Sequence, residues 1–193
     1  MLSERVHESL TITGRYGNFL KSQINKKKLK IVEITDKRSN GLLKSVIDSF
    51  GKNVLFVNTL KGFEDVLEEH LDDTCTLFTL SEDYFRLRLD VKDMKGLTKL
   101  VKQFVNELLV ELKITNSKIL IIYRANDLPP FIFGMDHNLV IEEFWRLLTA
   151  DLRSTDCIYM FVYEEVDYQP DILSHFADVV LKISSLPQLW SIL

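Results

Sequence analysis

A short segment between two apolar runs has the outline of a phosphate-binding loop but lacks its chemistry. Such a loop needs G-x-x-x-x-G-K-[ST] between a strand and a helix, because glycines admit the phosphates to backbone N–H groups, lysine bridges them and the hydroxyl holds the metal. Window 36–43 keeps only the second glycine, Gly41. Leu42 and Leu43 replace the lysine and the hydroxyl, and Asp36 adds a negative charge. We therefore predict no ATP binding, no other cofactor and no enzyme activity.

A shifted register of the same loop keeps one alternative open. Lys44 and Ser45 would then supply the lysine and the hydroxyl, but Arg38 and Leu43 would stand at the glycine positions. A shift of two residues along a helix also turns a side chain through about 200°. A divergent ATPase that uses Lys44 and Ser45 is therefore the less favoured reading.

Other catalytic and metal-binding patterns are weak in this chain. The four histidines are scattered without the spacing of metal ligands, so we predict no metal site: His7, His70, His137 and His175. An acidic string, Glu164, Glu165 and Asp167, follows an apolar run. It could hold a metal in an enzyme, but a hydrated or partner-facing loop is favoured because such charge runs usually stay solvated.

Charge and composition limit the partners of the chain. With 193 residues, 46% hydrophobic residues and a net charge of −4, the chain is expected to form one domain with a sizeable core. The net charge excludes a protein that coats nucleic acid through overall basicity, so DNA contact would have to be local. The candidate DNA-binding residues form one basic cluster, for which a solvated loop is the favoured interpretation: Lys26, Lys27, Lys28, Lys30, Lys37 and Arg38.

Short β-branched or aromatic runs alternate with segments of helical period, which predicts βαβ units, a mainly parallel central sheet and a three-layer α/β fold. The predicted strands are 30–34, Val54–Asn58, 76–80, 118–123, 157–163 and 178–183. A helix over 96–113 is indicated by apolar residues at intervals of three and four. A second helix is expected to begin with Asn138 as its cap, and its aromatic residues are expected to lie in the core.

The ends of the chain differ in pattern from its middle. Apolar residues at helical spacing, among them Phe19 and Ile24, predict an N-terminal helical extension over 1–25, before a core domain over 26–193 with a short C-terminal tail. The tail is expected to form a turn packed on the domain, with a docking tail as the alternative, in which Trp190 is a candidate partner contact since tryptophan is favoured at interface hot spots. Residues 1–16 do not resemble a signal peptide, and no apolar run approaches the ~20 residues of a membrane span, so we expect a soluble intracellular protein.

Three segments resemble the RecA/RadA recombinases and their eukaryotic paralogues. Residues 54–63, VLFVNTLKGF, look like the VLYIDTEGTF segment of that family, whose glutamate activates the attacking water; Leu60 occupies its place. Residues 117–123 resemble the second nucleotide strand, which ends in a metal-side aspartate where this chain has Tyr123. Residues 175–183, HFADVVLKI, resemble the penultimate core strand of the family.

This resemblance implies a RecA-like P-loop fold with degenerate nucleotide motifs, similar to the small subunits of the Shu complex. Such a protein would be a nuclear, non-catalytic subunit of a recombinase-mediator complex in homologous recombination and DNA repair. The implied partners are another RecA-like paralogue in a heterodimer, a SWIM-type zinc subunit, a recombinase, and single-stranded or forked DNA. The small RecA-like subunits of the Elongator complex, which handles transfer RNA, are the alternative.

The resemblance also implies where a partner would bind. Active RecA-like proteins sandwich ATP between neighbouring subunits, and Leu42, Leu43 and Leu60 would gather near that junction. Apolar side chains at that position favour a permanent contact, because burial there removes apolar surface from water. We therefore expect Leu42 and Leu60, together with Trp190, to contact the partner.

Overall fold

The described strands of the chain form one parallel sheet. A computed structural model describes residues 6–8, 31–36, 54–59, 75–123, 125–164 and 171–183. Within these residues seven strands lie in the order β1-β7-β2-β6-β5-β3-β4, and every neighbouring pair is parallel. The strands are β1 (Val6–Glu8), β2 (Ile31–Asp36), β3 (Val54–Asn58), β4 (Cys75–Thr79), β5 (Ile119–Tyr123), β6 (Ile158–Glu164) and β7 (Val179–Ile183). The predicted parallel sheet is confirmed, and each predicted strand lies within two residues of an observed one.

The described helices follow β4 in the chain. They are α1 (Glu82–Leu89), α2 (Met94–Thr115), α3 (His137–Arg153) and the short α4 (Asp171–Ser174). The three successive crossovers, from β4 to β5, from β5 to β6 and from β6 to β7, all run towards the β1 edge of the sheet. Because such connections are right-handed, their helices lie on one face. Accordingly, α3 contacts both α2 and α4. No described helix is long and apolar enough to cross a membrane.

Both faces of the central strands are buried. On the helical face the strands contribute alternate residues to the main core: Leu55, Val57, Leu120, Ile122, Tyr159 and Phe161. The intervening residues point to the opposite face and are 0–6% exposed: Val54, Phe56, Ile119, Ile121 and Met160. Burial on both sides is the arrangement that a three-layer α/β fold requires, and one helical layer lies within the described residues.

The two long helices agree with their sequence patterns except at one cap. The predicted helix 96–113 is confirmed as α2, which is two residues longer at each end, and the Asp93 carboxylate caps it by accepting the Gly96 N–H at 2.7 Å. The predicted cap of α3 is wrong, because Asn138 lies in its first turn and Asp136 accepts the N–H groups of Asn138 and Leu139. A carboxylate is favoured there since it complements the positive end of the helix dipole.

Aromatic side chains pack α3 against the sheet. Phe144 and Trp145 are fully buried, as predicted for the aromatic residues of this helix. The Trp145 ring meets Phe144 and Phe161 of β6 edge-on, with centroid distances of 5.2 and 5.1 Å. At the far end of α3, Arg153 donates to the Phe176 carbonyl at 2.6 Å and pairs with Asp178 at 2.8 Å. The helix is therefore fixed to β6 and to the turn that precedes β7.

The sequence patterns did not indicate three elements. Residues 6–8 form β1 and pair with β7, although they belong to the segment 1–25 for which a helical extension was expected; the rest of that segment is outside the described residues. A strand of three residues is too short for a pattern to show. Helix α1 has Tyr84 as its one buried residue, so it carries almost no apolar stripe, and α4 is a single turn.

Two buried tyrosines provide a matched test of this core. Burial raises the pKa of both Tyr84 and Tyr159, the latter to about 12. The hydroxyl of Tyr159 lies 2.6 Å from the Thr155 hydroxyl, whereas the buried hydroxyl of Tyr84 has no hydrogen-bond partner among the described residues. A buried polar group without a partner costs about 1–3 kcal/mol, and a typical satisfied one contributes about 1 kcal/mol.

We therefore predict that Tyr84→Phe leaves the free energy of unfolding unchanged or raises it, and that Tyr159→Phe lowers it by about 1 kcal/mol. Urea unfolding of the two variants beside the unmodified chain measures both changes. Equal destabilisation by the two substitutions would contradict the hydrogen-bond assignment.

Candidate functional site

The carboxyl edge of the sheet is the candidate site. Four of the central strands end there, at Asp36, Asn58, Tyr123 and Glu164. The register places Asp36 beside Glu164 and Tyr123 beside Val162. Open parallel sheets bind ligands outside the carboxyl ends of their strands, because connections leave the sheet there in opposite directions and open a crevice.

The direction of the connections reverses between β2 and β6, and it also reverses between β5 and β3. From β2 the chain goes to β3, beyond β6 and β5, whereas from β6 it goes the other way, to β7 beyond β2. Asp36 and Glu164, two residues with acidic side chains, occupy adjacent backbone positions at this point.

The predicted nucleotide residues are described only in part. The backbone places Asp36 as the last residue of β2 and Tyr123 as the last residue of β5. The other predicted site residues lie outside the described residues: Lys26, Lys27, Lys28, Lys30, Lys37, Arg38, Gly41, Leu42, Leu43, Lys44, Ser45, Leu60, Glu165, Asp167 and Trp190. The structure therefore brings Asp36 and Tyr123 to the same edge, two strands apart.

Beyond β5 a loop is anchored at this edge by Arg88 of α1. The Arg88 guanidinium donates to the Asp127 carbonyl at 2.6 Å, and it makes longer contacts of 3.5 and 3.4 Å with the carbonyls of Leu128 and Pro129. Leu128, Pro129 and Pro130 are buried. The first part of the loop is thus held by a cation that joins three successive carbonyl groups.

The next residues form a surface that the sequence patterns did not reveal. We call residues 131–135 the Phe loop. Phe131 and Phe133 are 69% and 93% exposed, while Ile132 between them is 1% exposed and anchors the loop. The Met135 N–H donates to the Ile132 carbonyl at 3.2 Å, and Gly134 has φ +81°, a conformation that side chains disfavour. The loop therefore turns back towards α3 with both phenyl rings outside the core.

The first turns of α3 continue this surface. The Phe131 ring lies 5.7 Å from the His137 ring, and Leu139 is 58% exposed. Exposed acidic residues, Asp136 and Glu142, flank them. Glu143 accepts two hydrogen bonds from Arg146, and these hold the pKa of its carboxyl below the usual value. We call Phe131, Phe133, Leu139, Asp136 and Glu142 together the Phe-loop surface.

A hydrogen-bond network fixes the neighbouring end of β4. The Ser81 N–H and hydroxyl both donate to the Glu107 carboxylate of α2, at 2.9 and 2.5 Å. The Ser81 hydroxyl also accepts the Tyr84 N–H at 3.1 Å, which caps α1. Gln103 donates to the same carboxylate at 2.7 Å. This end of β4 is therefore tied to both α1 and α2, and through Arg88 to the loop after β5.

Comparison with known proteins finds similarity to solved structures, and 76 solved chains match. No protein-family profile matches the chain. No curated protein sequence matches it either. Among solved structures, it is similar to the crystal structure of a KaiC-like protein from the hyperthermophilic archaeon Pyrococcus horikoshii OT3, with 15% sequence identity and a TM-score of 0.47. The match covers 78% of this chain and 70% of the archaeal one.

The Arg88 contacts predict a local effect on the Phe loop. Hydrogen bonds to charged groups contribute about 1.5–3 kcal/mol each when well formed, and the bond to the Asp127 carbonyl is short. We expect Arg88→Ala to lower the free energy of unfolding by about 1–2 kcal/mol. We also expect faster amide hydrogen exchange over residues 128–135.

Arg86→Ala is the matched control. Arg86 makes an exposed ion pair with Asp83 at 3.7 Å, and such pairs contribute about 0–1 kcal/mol. Arg86→Ala should leave both the free energy of unfolding and the rate of amide hydrogen exchange close to those of the unmodified chain. Equal effects of the two substitutions would show that Arg88 does not hold the loop.

Proposed function

We propose that this chain is a non-catalytic RecA-like subunit of a recombinase-mediator complex, and that it acts in homologous recombination and DNA repair through protein–protein contacts. The support is the order of the resembling segments along the chain, together with the replacement of the residues that the family uses for ATP. Leu42 and Leu43 stand at the lysine and hydroxyl positions, and Leu60 at the position of the water-activating glutamate.

The position of Tyr123 is the observation that carries this proposal. It is the last residue of β5, at the carboxyl edge and beside Val162 of β6. The resemblance places a metal-side aspartate here. A phenol has a usual pKa near 10 and is neutral at physiological pH, whereas Mg²⁺ is bound through carboxylates and phosphate oxygens. An ATPase centre at this edge would lack that carboxylate.

The proposed partners follow from the resemblance of the sequence segments to the recombinase paralogues. A second RecA-like paralogue would cover Leu42 and Leu60 in a heterodimer, where burial contributes about 25 cal/mol per Å² before the costs of association. Trp190 would add a contact from the C-terminal tail. A SWIM-type zinc subunit and a recombinase would complete the complex in the nucleus. The basic cluster of Lys26, Lys27, Lys28, Lys30, Lys37 and Arg38 would provide any contact with single-stranded or forked DNA.

Nucleotide binding tests the non-catalytic part of the proposal. We expect calorimetric titration with Mg²⁺-ATP to show no binding in the micromolar range and the purified chain to show no ATP hydrolysis. Lys44→Ala should change neither result, because Lys44 has no role in a subunit that does not bind ATP. Hydrolysis that Lys44→Ala abolishes would instead assign the chain to the divergent ATPases.

Purification of the tagged chain with its partners tests the pathway. We expect mass spectrometry to identify a RecA-like paralogue together with a SWIM-type zinc subunit or a recombinase. Leu60→Asp should remove the paralogue, because a carboxylate would be buried without a partner in the contact. Leu89→Asp is the control, since Leu89 is 82% exposed on α1. Recovery of Elongator subunits instead would transfer the chain to that complex.

A further inference from the structure

The exposed apolar side chains of the Phe-loop surface contribute little to the stability of the fold. Phe133 is 93% exposed and Phe131 69% exposed, so neither ring contributes much apolar burial to the core. Leu139, on the adjoining turn of α3, is 58% exposed. Single exposed apolar residues are common on protein surfaces, but neighbouring ones on a short stretch are typical of interaction sites. Residues 131–139 contain three such side chains.

The loop that presents these rings is structurally fixed. Ile132 is buried between them, and the turn is closed by the hydrogen bond from the Met135 N–H to the Ile132 carbonyl. Arg88 holds the preceding carbonyls, and Asp136 caps α3 directly after the loop. A surface that is ordered before binding loses less conformational entropy in the complex. The Phe loop is therefore suited to specific docking.

The charges around the rings favour a basic partner. The stretch 131–143 contains Asp136, Glu142 and Glu143 and neither lysine nor arginine. Two cations adjoin this stretch, and both are engaged within the chain: the Arg146 guanidinium is hydrogen-bonded to Glu143, and Arg88 donates to the Asp127 carbonyl. Nucleic acid backbones are polyanionic and are bound through lysine and arginine. An acidic rim therefore disfavours a nucleic acid and complements lysine or arginine on a protein.

We propose that the Phe-loop surface is the docking site for a segment of a partner protein that carries an aromatic or aliphatic side chain next to lysine or arginine. The apolar side chain packs against Phe131, Phe133 and Leu139. The cation lies between the phenyl faces and the carboxylates of Asp136 and Glu142, where cation–π and ionic attraction act together. This docking site does not depend on the nucleotide residues or on the proposed recombination role.

Selection from a displayed library of random peptides tests the proposal on the full chain. We expect the selected peptides to combine apolar residues with lysine or arginine. Fluorescence anisotropy with the synthesised peptides should show at least tenfold weaker binding to Phe133→Ser. Glu142→Gln should weaken binding several-fold at low salt and less at high salt, because screening reduces the ionic part.

Ile114→Ser is the matched control, since Ile114 is 71% exposed on α2, away from the Phe loop in sequence. It should bind the peptides as tightly as the unmodified chain, and all three variants should keep the same thermal unfolding midpoint. Peptides that lack basic residues, or that bind Phe133→Ser as well as the unmodified chain, would overturn the proposal.

Two further results would also overturn the proposal, because they identify a different occupant. One is binding of a single-stranded oligonucleotide that Phe133→Ser abolishes and Ile114→Ser preserves. The other is self-association of the chain in sedimentation experiments that Phe133→Ser abolishes and Ile114→Ser preserves.

Discussion

Burial of the central strands on both faces is the constraint on which the rest of this structure depends. In β3, Val54, Leu55, Phe56 and Val57 are all 0% exposed, so neither face of the strand is open to a ligand. Parallel strands buried in this way are joined by crossovers, and their loops lie at the amino and carboxyl ends of the strands. Binding at these strands is therefore confined to strand ends. Asp36, Tyr123 and the Phe loop all lie at or beyond such ends, on the carboxyl side.

The position of α3 is the second constraint on this structure. Trp145 inserts between Phe144 and Phe161, and edge-to-face aromatic pairs add about 0.5–1.5 kcal/mol beyond their burial. Arg153 secures the carboxyl end of the helix through Asp178. These contacts hold α3 against β6 and against the turn before β7, and the Phe loop directly precedes the first turn of this helix.

The sequence predicted those elements whose burial follows a strong pattern. The bounds of β3 agreed fully and α2 was found with its buried stripe except at Leu109, which is 37% exposed, because continuous and periodic apolar residues reflect packing. The α3 cap was misplaced by two residues, since Asp136 and Asn138 are both good caps and only the backbone decides between them. The exposure of Phe131 and Phe133 was not predictable, because side-chain type indicates burial on average and tertiary position decides the individual case. The sequence carries signals of a loop there, because Pro129, Pro130 and Gly134 are residues that favour turns.

The exposed phenylalanines have a different energetic role from the buried ones. A ring that is 93% exposed in the folded chain is almost as hydrated as in the unfolded chain, so Phe133 adds little to folding stability. Burying such a side chain in a complex contributes about 1.5–3 kcal/mol, and all of this free energy is available to binding. The carboxylates beside it act at longer range and speed the approach of a basic partner. The Phe loop therefore presents apolar side chains whose burial would stabilise a complex and which add little to the fold.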